Sequence, residues 1–174
     1  MDLSQLSNQL GPVPERFPDC CLGISSTLIA HLISILPRSP HFTISIGSGS
    51  GLLEGLLTYS NQNVSVQGVE VTSTINRYIA EENMNVVGGG WGLYPSAQQA
   101  KAWMFVYPRD PKLITKYIDS YGDKAVQMIV WLGPRVDWPD YEPCFSNSTF
   151  SDLSVLDDIG LTPYEIAVVA RRAS

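Results

Sequence analysis

Three glycines at alternate positions, Gly47, Gly49 and Gly51, follow the apolar run Phe42-Thr-Ile-Ser-Ile46, and an acid, Glu70, lies 21 residues beyond Gly49. The pattern reads as a buried strand that enters a tight turn and opens a helix. Glycine tolerates the sharp backbone path and leaves no Cβ between the chain and a ligand. The unpaired N–H groups at the start of the helix would point at that ligand. Glu70 ends a second β-rich run, Val64-Ser-Val-Gln-Gly-Val69. An acid about 20 residues past a glycine loop, at the tip of the next parallel strand, is placed to accept hydrogen bonds from both hydroxyls of a ribose. The chemistry indicated is nucleoside binding. A glycine cluster by itself reads as well as a surface turn, and Glu70 by itself as a solvated strand end. Together they favour the ribose role, because a charged residue between Val69 and Val71 is seldom buried unpaired.

Groups suited to proton transfer are few. His31 sits within an apolar helical run, and His41 just precedes the first strand, at the wrong end of a sheet for ligand contact. Both read as structural. Tyr107, Arg109 and Asp110 follow a later strand and are the polar groups best placed over a reacting centre, although Asp110 reads more simply as a helix cap ahead of Pro111. Trp138, Asp140, Tyr141 and Glu142 fall in a long polar segment and are candidates for a substrate wall or lid. Aromatic-rich loops equally often pack down. Cys20, Cys21 and Cys144 have no metal-ligand spacing and form no even disulfide set, so no metal is expected.

The elements that would position these residues alternate between strand and helix. Residues 1–18, with Pro12, Pro14 and Pro18, read as an irregular arm that includes a short helix near 3–10. A helix over 20–36 follows from the apolar spacing of Leu28, Ile29, Leu32, Ile33 and Leu36, and ends at Pro37. Strands are expected at 42–46, 64–69, 85–87, 103–107, 126–132 and 165–170. Helices are expected at 52–59, 72–82, 110–121 and 152–158, with a weak helical segment at 98–100 and a long loop at 133–151. Apolar strands between helical patterns describe a three-layer α/β domain, a mostly parallel sheet with helices on both faces. In such a sheet Gly47–Gly51, Glu70, Gly88–Trp91 and Tyr107–Pro111 all reach strand carboxyl ends, where ligands bind.

The composition narrows the partners. The chain has 174 residues, 44% of them hydrophobic and 16% charged, which suits one compact domain spanning 1–174. A net charge of −6 with no basic cluster argues against a nucleic-acid backbone as partner. The first ten residues lack the features of a signal peptide, and the apolar stretch at 28–36 is too short to span a bilayer. A reduced, cytoplasmic protein with no membrane partner is the expectation.

The Gly47-Ser-Gly-Ser-Gly51 loop and Glu70 resemble the first motif and the ribose-binding acid of the class I S-adenosylmethionine-dependent methyltransferases. The resemblance covers about residues 20–132. In a nicotinamide dinucleotide fold the third glycine would stand at position 52, which is Leu here. The resemblance implies a Rossmann-like fold and S-adenosyl-L-methionine as cofactor, with Gly47, Ser48, Gly49, Gly51, Glu70, Gly90 and Trp91 as its binding residues. Trp91 would then stack on the adenine, or else serve as a core or hinge residue. Tyr107, Asp110, Trp138 and Tyr141 would face a small-molecule substrate. The chain departs from the family where an acid often follows the third strand and where an Asn-Pro-Pro-aromatic motif often follows the fourth; it has Tyr107-Pro-Arg-Asp-Pro111 instead. Only one clear strand follows the fifth, where the family has an antiparallel pair, so a shortened C-terminal part of the fold is expected. Two functions follow from the resemblance. One is a methyltransferase acting on a small organic molecule, as in secondary metabolism. The other is a methyltransferase-like protein without transfer activity, acting as a cofactor-binding partner subunit or in a different rearrangement. A homodimer or a complex with a partner subunit is compatible with both.

Overall fold

The computed structural model describes residues 1–89 and 91–174. In chain order its main elements are α1 (Leu3–Gln9), β1 (Glu15–Phe17), β2 (Cys20–Ile24), α2 (Ser26–Ile35), β3 (Thr43–Ile46), α3 (Leu52–Ser60), β4 (Val66–Glu70), β5 (Met84–Val86), β6 (Ala102–Val106), α4 (Pro111–Tyr121), β7 (Met128–Pro134), α5 (Trp138–Ser146), β8 (Asp152–Leu156) and β9 (Glu165–Arg171). Seven strands form one sheet in the order β5-β4-β3-β6-β7-β9-β8. All neighbours from β5 to β7 are parallel, and β9 runs antiparallel to both β7 and β8. The chain therefore reverses its winding direction at β3, and the loop after β3 lies at that switch point.

Side-chain alternation divides the core into two layers. On β6, Ala102 and Met104 face a leucine-rich layer formed with α1, α2 and α3, whereas Trp103 and Phe105 face the layer beneath α4 and α5. Small strand residues on the first face leave room for Leu28, Leu32, Leu53 and Leu57 from the helices. On the second face, Trp103, Phe105 and Trp131 are fully buried beneath Ile114, Tyr117 and Phe145. This is the mostly parallel α/β architecture with helices on both faces that the alternation of patterns predicts.

Six local expectations are corrected. The helix read over 20–36 begins only at Ser26. Ser25 caps it by accepting from the Leu28 N–H at 3.0 Å, and Cys20–Ile24 instead pairs antiparallel with Glu15–Phe17. The N-terminal arm thus contains a helix and a strand. The helix read over 72–82 is two short 3-10 turns, Ser73–Ile75 and Glu81–Asn83. There the Arg77 and Tyr78 N–H groups donate to the Ser50 carbonyl, at 2.9 and 3.1 Å, and Asn76 exchanges two hydrogen bonds with the Ile79 backbone, so an intrahelical ladder cannot form. The loop at 133–151 contains α5, whose Tyr141 and Phe145 are buried against the sheet. Residues 152–156, read as helix, are strand β8, an edge strand with mostly exposed side chains. The antiparallel pair is therefore complete, and the economy of the fold falls on the connections from β4 to β6, which among the described residues contain 3-10 turns but no α-helix.

Candidate functional site

The loop after β3 is shaped by its glycines. Gly47, Gly49 and Gly51 all have positive φ, at 78°, 59° and 77°, in the left-handed region that L side chains rarely adopt. The Gly47 and Ser48 N–H groups donate to the Val69 carbonyl at 2.8 and 3.3 Å, which ties the turn to the end of β4. Gly51 is the N-cap of α3 and packs tightly: a Cβ there would come within 2.5 Å of Ile79 Cγ1 and 2.9 Å of Asn76 Oδ1. At Gly47 and Gly49 a Cβ would meet nothing within 4 Å. The first two glycines thus border open space, and the third locks the loop to the segment that replaces the missing helix.

Glu70 reaches this loop. Its Oε1 accepts from the Gly49 N–H at 2.8 Å, and its Oε2 accepts from the Val71 N–H at 3.1 Å. Each carboxylate oxygen retains a second acceptor site. The side chain is half-buried at the carboxyl end of β4, beside the open face of the loop. The spacing that pairs Gly49 with Glu70 in the sequence is a direct contact in the fold.

The remaining sequence-predicted residues divide by position. The Ser48 hydroxyl turns toward Met84 Sδ, 3.9 Å away, and lies under the loop beside Gly68. Trp91 is half-exposed beyond β5, and its carbonyl accepts from Lys116 Nζ at 2.5 Å. Gly90 lies outside the described residues. Tyr107 stands at the carboxyl end of β6 with φ of 49°, a strained conformation for an aromatic residue. Its hydroxyl donates to the buried Glu165, which also accepts from Thr162 Oγ1 at 2.7 Å and from the Gly23 N–H at 3.2 Å. Burial, together with the Glu165 carboxylate, raises the Tyr107 pKa, so the phenol is a proton donor at neutral pH. Asp110 caps α4, accepting from the Lys112 N–H at 2.9 Å, with Pro111 in the first turn.

Trp138 and Tyr141 are not on an open loop. Both belong to α5, with ring centroids 5.1 and 5.3 Å from that of Trp131, and the Tyr141 hydroxyl donates to the Pro108 carbonyl at 2.6 Å. Burial pushes the Tyr141 pKa up to about 12. These aromatics anchor a helix to the sheet, which removes the basis for reading the segment as a lid.

The structure adds a residue that the sequence reading passed over. Glu54, in the first turn of α3, is only 3% exposed. Ser45, on the face of β3 that meets α3, donates its hydroxyl to Glu54 Oε2 at 2.5 Å. Burial pushes this carboxyl up to about 7, an effect the Ser45 hydrogen bond opposes and the nearby Glu70 charge reinforces. The signal was present in Leu52-Leu-Glu-Gly-Leu-Leu57, where a lone acid is enclosed by an all-apolar helix turn.

No family model matches the chain, and no curated protein matches it in sequence. Solved structures do match its fold. A candidate tRNA methyltransferase of Streptococcus pneumoniae aligns over 86% of this chain and 70% of its own, with 14% identity and a TM-score of 0.57. The methyltransferase domain of a bacterial Hen1 protein aligns over 83% of this chain and 95% of its own, at 14% identity and a TM-score of 0.60. Human N-acetylserotonin methyltransferase, solved with S-adenosylmethionine, aligns over 85% of this chain at 11% identity and a TM-score of 0.58; the chain spans 51% of its length. The chain has the Rossmann-like fold of S-adenosylmethionine-dependent methyltransferases. Among the described residues no helix is long and apolar enough to cross a membrane.

Proposed function

We propose that this protein binds S-adenosyl-L-methionine at the Gly47–Gly51 loop and transfers its methyl group to a small organic molecule. The observation that carries the reading is the Gly49–Glu70 contact at the switch point, beside a backbone surface on which a Cβ would meet only open space. That surface fits a ligand lying flat against the chain, and the spare acceptor sites of Glu70 fit a ribose diol. Gly47 and Gly49 would flank the methionine portion, Glu70 would hold the ribose, and Trp91 would cover the adenine. The bound sulfonium supplies an activated methyl group, so the protein's remaining task is to orient an acceptor and exclude water. Tyr107 is a donor to Glu165 and not a base. A softly nucleophilic acceptor that needs no base, such as a neutral amine, suits such a site. The net charge of −6 favours a neutral or cationic small molecule over a nucleic acid, and human N-acetylserotonin methyltransferase is a similar fold named for a small-molecule substrate.

A second reading is binding without transfer, as a partner subunit, as a homodimer or in another rearrangement. It is favoured by one observation: at the carboxyl end of β6, the Tyr107 hydroxyl and the Asp110 carboxylate are already engaged by Glu165 and by the Lys112 N–H. Calorimetry with S-adenosylmethionine, S-adenosylhomocysteine and NAD tests the first step. Binding of the adenosyl compounds by the wild type, lost in Gly49→Val, supports the site; tight NAD binding with no response to either adenosyl ligand overturns it. Turnover to S-adenosylhomocysteine in the presence of a panel of small hydroxyl, thiol and amine acceptors then separates transfer from binding alone.

A further inference from the structure

Glu54 occupies an unusual place for a carboxyl group. It sits in the first turn of α3, reaches back to Ser45 two residues before Gly47, and so lies behind the glycine loop on its buried side. Among the described residues the only ion pair is Arg77–Asp19, at 3.3 Å, so Glu54 has no cationic partner. The titratable groups around it add no positive charge either. Glu70 on β4 and Cys20 on β2 are close enough to be coupled to it, with Asp19 and Cys21 flanking Cys20. Burial pushes Cys20 up to about 12, which leaves it a neutral thiol. The other helices against α3 offer little: α1 has no charged residue, and α2 has only His31. An ionised carboxylate is costly in such surroundings unless a cation arrives.

We propose that Glu54 reads the charge of the ligand, giving up its proton when a cationic sulfonium occupies the loop and retaining it when the loop holds the neutral thioether left after methyl loss. The inference rests on the cofactor reading above and goes beyond it, because it assigns to a buried residue the discrimination between cofactor and product. A positive charge introduced on the open side of the loop stabilises the carboxylate through a medium of low dielectric. The thioether offers no such charge, so the product meets a neutral carboxyl and is held less tightly. With Glu54 half-protonated near pH 7, binding of S-adenosylmethionine is then linked to proton release, and the preference for cofactor over product grows as pH rises.

The test is calorimetry of both ligands in buffers of different ionisation enthalpy, from pH 6 to pH 8, on the wild type and on Glu54→Gln. The sulfonium lowers the α-amino pKa of S-adenosylmethionine relative to that of the product, so each free ligand is titrated separately and its own protonation is subtracted before the comparison. In the wild type, S-adenosylmethionine should release roughly half a proton at pH 7 beyond what S-adenosylhomocysteine releases, and its affinity relative to the product should rise about tenfold across the range. In Glu54→Gln, which keeps an acceptor for Ser45, the excess release and the rise should both vanish. Equal proton release for the two ligands in the wild type, a measurement that needs no variant, overturns the assignment while leaving the cofactor site intact. An excess that persists in Glu54→Gln overturns it as well. Failure of either ligand to bind at any pH overturns the cofactor reading itself, and this inference with it.

Discussion

The two flanks of β3 are built to different standards. Toward β6, β7 and β9 the strands run five to seven residues and are almost wholly buried, under α4 and α5 on one face and under the leucine-rich helices on the other. Toward β4 and β5 the sheet ends in a three-residue strand with half-exposed side chains, and its connections contain 3-10 turns where a βαβ unit would place helices. The segment 76–79, which would be helix in a fuller unit, spends its hydrogen bonds on Ser50 and its side chains on Gly51. One flank is a packed core. The other is a brace for the glycine loop, held by a few polar contacts. On the proposed function, stability and ligand binding would be separable here: the first rests on the aromatic flank and the second would rest on the spare one.

The sharpest way to break that division is to cut into the packed flank. Trp131 is 1% exposed and lies against Trp138 and Tyr141. Trp131→Ala should cost about 3–5 kcal/mol in urea unfolding, as truncation of a large buried aromatic does. The folded fraction should still bind the adenosyl ligands with wild-type affinity. A matching loss of affinity would show that the two flanks are one cooperative site.

Glu54 gives the next largest effect, and it lies between the flanks. Its folded pKa of about 7 stands above the ordinary glutamate value of 4.5. A carboxyl shifted upward binds its proton more tightly in the folded state, so its contribution is complete below the unfolded pKa and is lost as pH rises through the folded one. The ligand-free protein should therefore lose stability between about pH 4.5 and pH 7 by on the order of 3 kcal/mol, and Glu54→Gln should flatten that part of the profile. Urea midpoints at a series of pH values check both. A wild-type profile that rises over this window would reverse the assigned direction.

On the spare flank, losses should appear in affinity and barely in stability. Glu70→Ala removes the Gly49 contact and the candidate ribose acceptor together. A charge-assisted hydrogen bond is worth about 1.5–3 kcal/mol, so affinity should fall roughly tenfold or more. Glu70→Gln keeps a carbonyl acceptor for the Gly49 N–H and should lose less. Calorimetric affinities for the two variants should follow that order, and equal affinity of Glu70→Ala and the wild type would remove the acid from the site.

What was legible in the sequence follows the same division. The loop and Glu70 could be read because their chemistry is local: glycine positions that need positive φ, and an acid at a strand tip a fixed distance on. The parallel sheet could be read from apolar strands of ordinary length. Three segments could not. Pro139 and Pro143 made α5 look like a loop, yet the burial of Tyr141 and Phe145 outweighs the helix-breaking cost of Pro143. Asp152-Leu-Ser-Val alternates for only four residues before Leu156 breaks the pattern, too short a run to decide, and its identity comes from pairing with β9. Thr72 caps only a 3-10 turn, and the helix expected over 72–82 is prevented by the Ser50 carbonyl some 20 residues earlier, a tertiary competitor invisible to any window. Glu54 is a different case: the apolar turn that encloses it is visible in the sequence, and only its partner Ser45, on another element, is not.

Trp91 tests the outer limit of the spare flank with the smallest expected effect. The residue is 49% exposed and its carbonyl accepts from Lys116 of α4, so its backbone bridges the two flanks. On the proposed function, this half-exposed indole beyond the end of β5 would cover an adenine face. Stacking of this kind contributes about 0.5–1.5 kcal/mol. Trp91→Ala should therefore weaken binding of S-adenosylmethionine and S-adenosylhomocysteine alike by roughly twofold to tenfold, since both carry the same base. Its urea midpoint should not move, because little apolar surface is exposed by the change. Trp91→Phe should recover most of the affinity. If Trp91→Ala lowers stability and leaves both affinities intact, the indole is a structural part of the connection to α4, and the binding surface ends at Glu70.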